Sequence, residues 1–131
     1  MVIDTSAILA VLENEAEAST FKLEIASAAV RLMSAGTYLE TAMVVESRKG
    51  ADGIGELRLL LGSAGIRLVP FDAEQAMTAQ QAFSRYGKGR HRAALNFGDC
   101  FSYALAKSTG EPLLFKGNDF SETDIPLAFN S

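Results

Sequence analysis

Cysteine and histidine are almost absent from this sequence, with one of each among 131 residues. Cys100 alone cannot form an internal disulfide, and one thiolate plus one imidazole cannot build a structural zinc site. Such sparing use of cysteine fits a reducing compartment. There is no apolar run of the roughly 20 residues that span a bilayer, and no positively charged start followed by a cleavage site. We therefore expect a cytoplasmic protein with no membrane contact.

Several sequence motifs that mark common enzyme classes are also missing. There is no glycine-rich loop of the kinds that cradle nucleotide phosphates. The Gly-x-Ser-x-Gly elbow of serine hydrolases is missing as well. The chain has room for one domain, residues 1–131, and its 48% hydrophobic and 21% charged residues are typical of a globular protein.

Positive charge is in short supply overall but concentrated in one place. Twelve Lys and Arg residues against sixteen Asp and Glu residues give a formal net charge of −4, which taken alone argues against a nucleic-acid binder. However, four basic residues fall within eight positions around His91, and they are Arg85, Lys88, Arg90 and Arg92. This basic segment could contact phosphates or could be an ordinary solvated loop.

The hydrophobic pattern predicts strands that alternate with helices. Expected strands cover residues 2–4, 30–33, 66–69 and 112–115, with a further candidate at 126–129. Expected helices cover 15–29, 36–49, 52–64, 72–86 and 98–108, and Thr5-Ser6 after the first strand favours another helix start. Such alternation predicts an α/β fold with helices on both faces of a mainly parallel sheet. Sites in these folds lie beyond the carboxyl ends of the strands.

Acidic residues fall where that rule places a site. Asp4 lies at the end of the first strand, and we favour a functional role for it over a helix cap. Glu40 has two interpretations, since Thr37 to Glu40 also fits a capping box. Asp99 is the one acid in an apolar helix, where it could equally stabilise the helix dipole with Asn96 as the cap.

The loop after the strand expected at residues 112–115 offers a fourth acid, Asp119. Turn formation is the more common use of loop Asp and Asn residues. Asn118 and Asp124 are alternatives for the same role.

If these acids meet at one edge of the sheet, the repulsion between their negative charges has to be offset. Two like charges about 4 Å apart repel by about 4 kcal/mol at an effective dielectric of 20. A bound cation relieves this repulsion, and oxygen-only ligands select Mg²⁺ or Mn²⁺. Such a metal most often handles phosphates, with the basic segment supplying phosphate contacts. We expect His91 to contact backbone and Cys100 to be a buried packing residue.

Four segments in this order resemble PIN-domain proteins, and more closely VapC-type toxins of bacterial toxin–antitoxin pairs. They are Met1 to Ala7, Glu40 in its helix, Asn96 to Cys100, and Leu113 to Phe120. The similarity extends over essentially the whole chain.

The resemblance implies a three-layer α/β/α sandwich and a Mg²⁺- or Mn²⁺-dependent endoribonuclease acting on tRNA or rRNA. Asp4, Glu40 and Asp99 would be its conventional metal-site acids, with Asp4 and Asp99 binding the metal most directly. Many relatives have another acid where this chain has Gly117, so the fourth is assigned to Asp119, which with Glu40 would bind through water or orient the attacking water.

The resemblance also implies partners. A VapB-type antitoxin would neutralise the toxin, wrap it with its C-terminal segment and place a basic side chain among the acids. A homodimer is a further expectation. Four apolar residues are candidates for the antitoxin groove, with at least half of them expected in the core: Ile8, Leu9, Val11 and Leu12.

Two other functions are compatible with a small domain of this kind. One is a catalytically weak PIN-like module that binds RNA or protein without cutting. The other is a phosphate-accepting receiver domain, which would need an acidic pair beside a central acceptor Asp that this sequence does not offer.

Overall fold

Four short strands form one sheet flanked by helices in the computed structural model, which describes residues 1–128. The elements in chain order are β1 Val2–Ile3, α1 Thr5–Leu12, α2 Ala18–Ser27, β2 Leu32–Ser34, α3 Ala35–Ser63, β3 Arg67–Val69, α4 Ala73–Tyr86, α5 Phe97–Thr109 and β4 Leu113–Leu114. No helix in this described part is long and apolar enough to cross a membrane.

The sheet has the strand order β3-β2-β1-β4, and all of its pairings are parallel. Val2 lies opposite both Leu32 and Leu113, so β1 occupies the interior of the sheet. Each crossover is helical, as parallel strands require. The predicted α/β/α class with a parallel sheet is therefore confirmed.

Alternating strand side chains divide the core into two halves. Val2 and Leu113 pack on one face with residues of α4 and α5. Their neighbours Ile3 and Leu114 pack on the other face with residues of α1, α2 and α3. Successive strand residues point to opposite faces, so even two-residue strands supply both layers. This explains why the strand sequences are apolar without alternation.

One kinked element, α3, replaces the two helices predicted at residues 36–49 and 52–64. Gly50 adopts φ 62° and ψ −150° between the two halves, a conformation open to glycine. The helix predicted from residue 15 begins only at Ala18, after a turn. The helix starting at Thr5 is present as α1, capped by the preceding Asp4.

The last predicted strand, 126–129, is reduced in the described residues to one parallel bridge. Leu127 pairs with Leu113, whose N–H donates to the Pro126 carbonyl over 3.0 Å. Phe129 lies outside the described residues. Other strand bounds differ from the prediction by one or two residues at an end, which is the least certain part of any periodicity argument.

Candidate active site

Asp4 joins the end of β1 to the start of α1. Its Oδ2 accepts hydrogen bonds from the N–H of Ser6 over 3.1 Å and from the Ser6 hydroxyl over 2.8 Å. Its Oδ1 accepts from the hydroxyl of Ser102 on α5 over 2.6 Å. The carboxylate is buried, with 4% of the residue exposed. Burial raises the pKa of Asp4, and the hydrogen bonds from Ser102 and Ser6 oppose that rise.

Glu40 reaches the same region from α3. The capping-box interpretation of Glu40 is wrong, because Ser34 caps this helix by accepting from the N–H of Gly36. Instead, Glu40 Oε1 accepts from the Thr5 hydroxyl over 2.7 Å. Partial burial raises the pKa of Glu40; the Thr5 hydrogen bond opposes the rise and the charge of Asp4 adds to it. Glu40 and Asp4 therefore interact electrostatically.

Gly98 on α5 makes room for the Glu40 carboxylate. A Cβ atom at position 98 would lie 1.8 Å from Glu40 Oε2 and 2.4 Å from its Cδ. Real Cβ atoms essentially never approach another atom so closely. The Glu40 side chain thus rests directly on the first turn of α5, one residue before Asp99.

Asp99 combines a capping role with membership of the acidic group. Asn96 Oδ1 accepts from the Asp99 N–H over 2.9 Å, and Asp99 Oδ2 accepts from the Asn96 N–H over 3.0 Å. This capping box confirms the cap predicted at Asn96. Burial raises the pKa of Asp99 to about 8; the Asn96 N–H opposes the rise, whereas the carboxylates of Asp4 and Asp119 add to it.

Asp119 meets Asp99 from the exposed turn that follows β4. The two carboxyl groups are close enough to interact by a hydrogen bond as well as by charge. The turn is anchored near Asp4, because the N–H of Lys116 donates to the Ser6 hydroxyl over 2.9 Å. The side chain of Lys116 pairs with Glu15 over 2.5 Å, which ties the turn to the segment before α2.

The two alternatives to Asp119 have other surroundings. Asp124 accepts from the Tyr103 hydroxyl over 2.6 Å and from Lys107 Nζ over 2.8 Å. Burial favours a higher pKa for Asp124, but these two donors outweigh it, so the pKa is lowered. Asn118 is exposed, and its backbone carbonyl accepts from the N–H of Ser121. Of the candidates for the fourth acid, Asp119 is the one that interacts with Asp99.

We name Asp4, Glu40, Asp99 and Asp119 the acidic cluster. Among the described residues, none of the four has an ion pair with a Lys or Arg side chain, whereas Glu13, Glu15, Glu56, Glu122 and Asp124 all do. Burial raises the pKa of Asp4, Glu40 and Asp99, and repulsion by neighbouring carboxylates adds to the rise at Glu40 and Asp99. The cluster is thus a local concentration of negative charge that the protein itself leaves uncompensated.

The donor chemistry of the cluster fits a hard divalent cation, since every side-chain donor is a carboxylate oxygen. Within residues 1–128, no three acidic, His or Cys side chains are already drawn together as a coordination shell. Oxygens of Asp4 and Asp99 instead accept hydrogen bonds from Ser6, Ser102 and Asn96. Each carboxylate oxygen has two lone pairs, so these hydrogen bonds still leave acceptor sites for a cation.

The basic segment lies beside the cluster. Leu95 pairs with Gly87, which brings the end of α4 next to the start of α5. Arg92 forms a 2.9 Å ion pair with Glu122, three residues beyond Asp119. Lys88 and Arg90 are exposed, and the Arg90 guanidinium lies over the Phe83 ring.

The other basic-segment residues have structural contacts as well. The Arg85 guanidinium lies over the Tyr86 ring, 4.9 Å from its centroid. His91 Nδ1 accepts from the N–H of Ala93 over 3.0 Å, so its expected backbone contact is confirmed. Cys100 is buried in the core beside α4, and the expectation of a packing role is also confirmed.

Features important to this site were missed from the sequence. They are the hydroxyl of Ser102, which stands in an otherwise apolar stretch of α5, and the clearance that Gly98 leaves for Glu40. A polar residue three positions after Asp99, on the same helix face, was the available signal for Ser102. Nothing in the local sequence signalled the contact between Gly98 and Glu40, because it depends on how α3 crosses α5.

Comparison with known proteins agrees with an α/β/α domain carrying carboxylates at the carboxyl edge of its sheet. The family model described as PIN domain matches residues 1–126. The chain belongs to the PIN-domain family.

Individual relatives of the chain identify a narrower group within the PIN-domain family. The chain is 57% identical over 125 residues to "Ribonuclease VapC" of Mycolicibacterium smegmatis, covering 95% of this chain and 97% of the relative. It is 55% identical over 125 residues to "Ribonuclease VapC30" of Mycobacterium tuberculosis, covering 95% of each. The predicted resemblance to VapC ribonucleases is therefore confirmed.

Two solved structures share the fold. Mycobacterium tuberculosis VapC20, described as a sarcin–ricin loop cleaving toxin, matches with a TM-score of 0.76 and 23% identity over 95% of both chains. VapBC2 from Rickettsia felis, bound to a DNA fragment from its promoter, matches with a TM-score of 0.76 and 11% identity, covering 96% of this chain and 94% of that one. At these identities the likeness concerns the fold.

Proposed function

We propose that this PIN-domain protein is a VapC-type toxin, an endoribonuclease that hydrolyses RNA phosphodiester bonds with Mg²⁺ or Mn²⁺ and is neutralised by a cognate VapB-type antitoxin. The observation that carries the proposal is the acidic cluster, whose carboxylates form no ion pair with a Lys or Arg side chain within residues 1–128. Retaining like charges at one point is costly unless a cation binds there.

The members of the cluster have different proposed roles. Asp4 and Asp99, the buried pair, would hold the metal most directly. Glu40 and Asp119 would bind it through water and orient the attacking water. When bound, the metal supplies Lewis acidity to the phosphate and lowers the pKa of coordinated water. The protein contributes the placement of four carboxylates, from the junction of β1 and α1, from α3, from α5 and from the turn after β4.

The basic segment would position the RNA backbone. All four basic residues are exposed; Arg85 lies in the last turn of α4, and Lys88, Arg90 and Arg92 lie on the loop that leads into α5. Phosphate contacts of this kind orient a nucleic acid without reading its sequence. We propose tRNA or rRNA as the substrate class and the cytoplasm as the site of action; the fold neighbour described as a sarcin–ricin loop cleaving toxin supports an rRNA target.

The antitoxin would cover the apolar surface of α1. Ile8 and Val11 are buried in the core, whereas Leu9 and Leu12 are half-buried and line a small cleft beside Arg48. Leu9 and Leu12 therefore remain the candidates for this contact. A basic side chain of the antitoxin placed in the acidic cluster would neutralise it, and the VapBC2 complex among the fold neighbours supports such a partner.

We also propose a homodimer through the groove between α4 and α5. This cavity of about 510 Å³ is lined by apolar side chains that include Phe71, Phe83 and Phe101. Phe97 stands at its edge with 81% of its surface exposed. A protruding ring beside a cavity is self-complementary, as a two-fold interface requires. Sedimentation of wild type and Phe97→Ser would test this, and a monomeric wild type would refute it.

Cleavage of a mixture of tRNA and rRNA by the antitoxin-free protein tests the main proposal. Discrete fragments should appear with Mg²⁺ or Mn²⁺ and disappear with chelator, with Asp4→Asn and with Asp99→Asn. Asp124→Asn is the matched control, because Asp124 is a nearby acid paired with Lys107, and it should cut normally. Circular dichroism confirms folding of each variant. Full activity of Asp4→Asn would refute the assignment.

Thermal unfolding with and without Mn²⁺ separates the nuclease from a binding module that does not cut. A ligand that binds only the folded state raises its stability by mass action. Wild type should therefore gain stability from Mn²⁺, and Asp99→Asn should lose that gain. A folded wild type that neither gains stability nor cuts would favour the binding module.

A further inference from the structure

Four buried hydroxyl groups lie directly behind the acidic cluster, and we call them the hydroxyl network. They belong to Thr5 on α1, Thr37 and Thr41 on α3, and Ser102 on α5. The residues Thr37, Thr41 and Ser102 are completely buried, and Thr5 is 8% exposed. Buried polar groups are retained at a cost that hydrogen bonds must offset, so the partners of each hydroxyl show what the network does.

The network consists of two parallel relays, each ending on a carboxylate. In one, the hydroxyl of Thr37 lies 3.2 Å from that of Ser102, and Ser102 donates to Asp4 Oδ1 over 2.6 Å. A hydroxyl has one hydrogen to donate. Because Ser102 gives its hydrogen to Asp4, Thr37 must be the donor in the contact between the two hydroxyls.

The second relay lies one helical turn further along α3. The hydroxyl of Thr41 lies 2.8 Å from that of Thr5, and Thr5 donates to Glu40 Oε1 over 2.7 Å. Thr41 differs from its counterpart in the first relay, because it donates to the carbonyl of Thr37 over 2.8 Å. Both carboxylates thus accept from a hydroxyl that lies against a threonine hydroxyl of α3. This pairing ties α1, α3 and α5 together at the point where the acids meet.

Ser102 is the member whose position is hardest to explain by packing. Its helix neighbours Tyr103, Ala104 and Leu105 are buried apolar residues, and alanine at position 102 would suit the same core. The described contacts of its hydroxyl are with Asp4 and Thr37, and neither closes a helix cap or a turn. Its contacts therefore concern the orientation of the Asp4 carboxylate.

We propose that Ser102 is a positioning residue for the divalent-metal site, an inference that rests on the proposed function. Its hydroxyl holds Oδ1 of Asp4 from the core side, and Ser6 holds Oδ2 from α1. With the bond from the Ser6 N–H, these contacts occupy three of the four lone pairs of Asp4 and leave one on Oδ1 as an acceptor site for a cation. Thr37 acts one step further back, by orienting the Ser102 hydroxyl. Hydrogen bonds to metal-ligating carboxylates act in this way in metalloproteins generally.

Mn²⁺ affinity measured by electron paramagnetic resonance of free Mn²⁺ tests this role independently of cleavage. Ser102→Ala should bind Mn²⁺ about 10–100-fold more weakly, the usual range for such a partner. Thr37→Val should weaken binding in the same direction by a smaller factor. The matched control is Ser108→Ala on the same helix, since the Ser108 hydroxyl donates to the carbonyl of Leu105; its affinity should equal that of wild type.

Melting temperatures in chelator and cleavage at varied Mn²⁺ complete the test. Saturating Mn²⁺ should restore cleavage by Ser102→Ala, because the lesion is in metal affinity. A Ser102→Ala protein that melts lower but binds Mn²⁺ as well as wild type would show a purely structural role and overturn the inference. If Ser102→Ala does not fold, unchanged affinity in Thr37→Val overturns it. A wild type without Mn²⁺ affinity would overturn the proposed metal site itself.

Discussion

Replacing Gly98 by alanine should disable the proposed active site while leaving the fold in place. The new Cβ would lie 1.8 Å from Glu40 Oε2, so one of the two side chains must move. The obstructing atoms are the end of a flexible glutamate, and Glu40 will move more readily than the backbone of α5. Its movement breaks the 2.7 Å hydrogen bond from Thr5 and removes one carboxylate from the acidic cluster.

The change in stability can be worked out from these contacts. Losing a hydrogen bond to a charged group costs about 1.5–3 kcal/mol. Alanine in place of glycine within a helix returns about 0.8–1.0 kcal/mol. The net loss in the free energy of unfolding is therefore about 0.5–2 kcal/mol, a fall of a few degrees in melting temperature. We expect a folded protein whose cleavage activity falls as far as that of Glu40→Gln.

The matched control is Gly55→Ala in α3, where an added Cβ would meet no atom within 4 Å. That variant should be as active as wild type and up to about 1 kcal/mol more stable. The assays are denaturant unfolding, RNA cleavage with Mn²⁺, and a crystal structure of Gly98→Ala. Wild-type activity in Gly98→Ala would refute the reasoning, because it would mean that the Glu40 carboxylate is not needed where the structure places it.

Three further predictions follow from other contacts. In chelator, the free energy of unfolding should fall as pH rises from about 4 to 8, because the pKa of Asp99 is about 8 in the folded protein and lower in the unfolded chain. A pH series of urea melts measures this slope, and Asp99→Asn should flatten it. An unchanged slope in that variant would contradict the raised pKa. Gly36→Ala should destabilise the protein by about 1–3 kcal/mol, since its Cβ would lie 2.3 Å from the Phe101 ring; an unchanged urea midpoint would count against this packing. Replacing Lys88 and Arg90 together by alanine should reduce the slope of log affinity for single-stranded RNA against log salt by about 1.4, or about 0.7 per phosphate contact, whereas an unchanged slope would exclude them from RNA binding.

Local sequence patterns were sufficient to predict the layers of the fold and the edge of the sheet at which the acids lie. Apolar strands such as Leu113–Leu114 and the glycine that ends α5, Gly110 with φ 74°, mark elements without tertiary information. The rule that parallel strands place their carboxyl ends at one edge then predicted that Asp4 and Asp119 would approach the same region. These inferences need the order of the elements but no distance between side chains.

Contacts between helices could not be predicted in the same way. The sequence from Thr37 to Glu40 fits a capping box, yet Ser34 begins the helix because β2 runs directly into α3. Thr37 then falls inside the helix, where its hydroxyl faces Ser102, 65 residues away in sequence. The angle at which α3 meets α5 determines that contact, and no local pattern encodes a crossing angle.

The four carboxylates of the acidic cluster come from widely separated parts of the chain, and this has a consequence for the cell that makes the protein. A ribosome that has completed β1, α1 and α3 has produced Asp4 and Glu40 but neither Asp99 nor Asp119. Under the proposed function, an unfinished chain, or a fragment cut anywhere before Asp119, lacks part of the cluster. Under that function, an incomplete chain cannot cleave the RNA of the cell that makes it. The antitoxin is needed only once Asp119 has been synthesised and has folded beside Asp99.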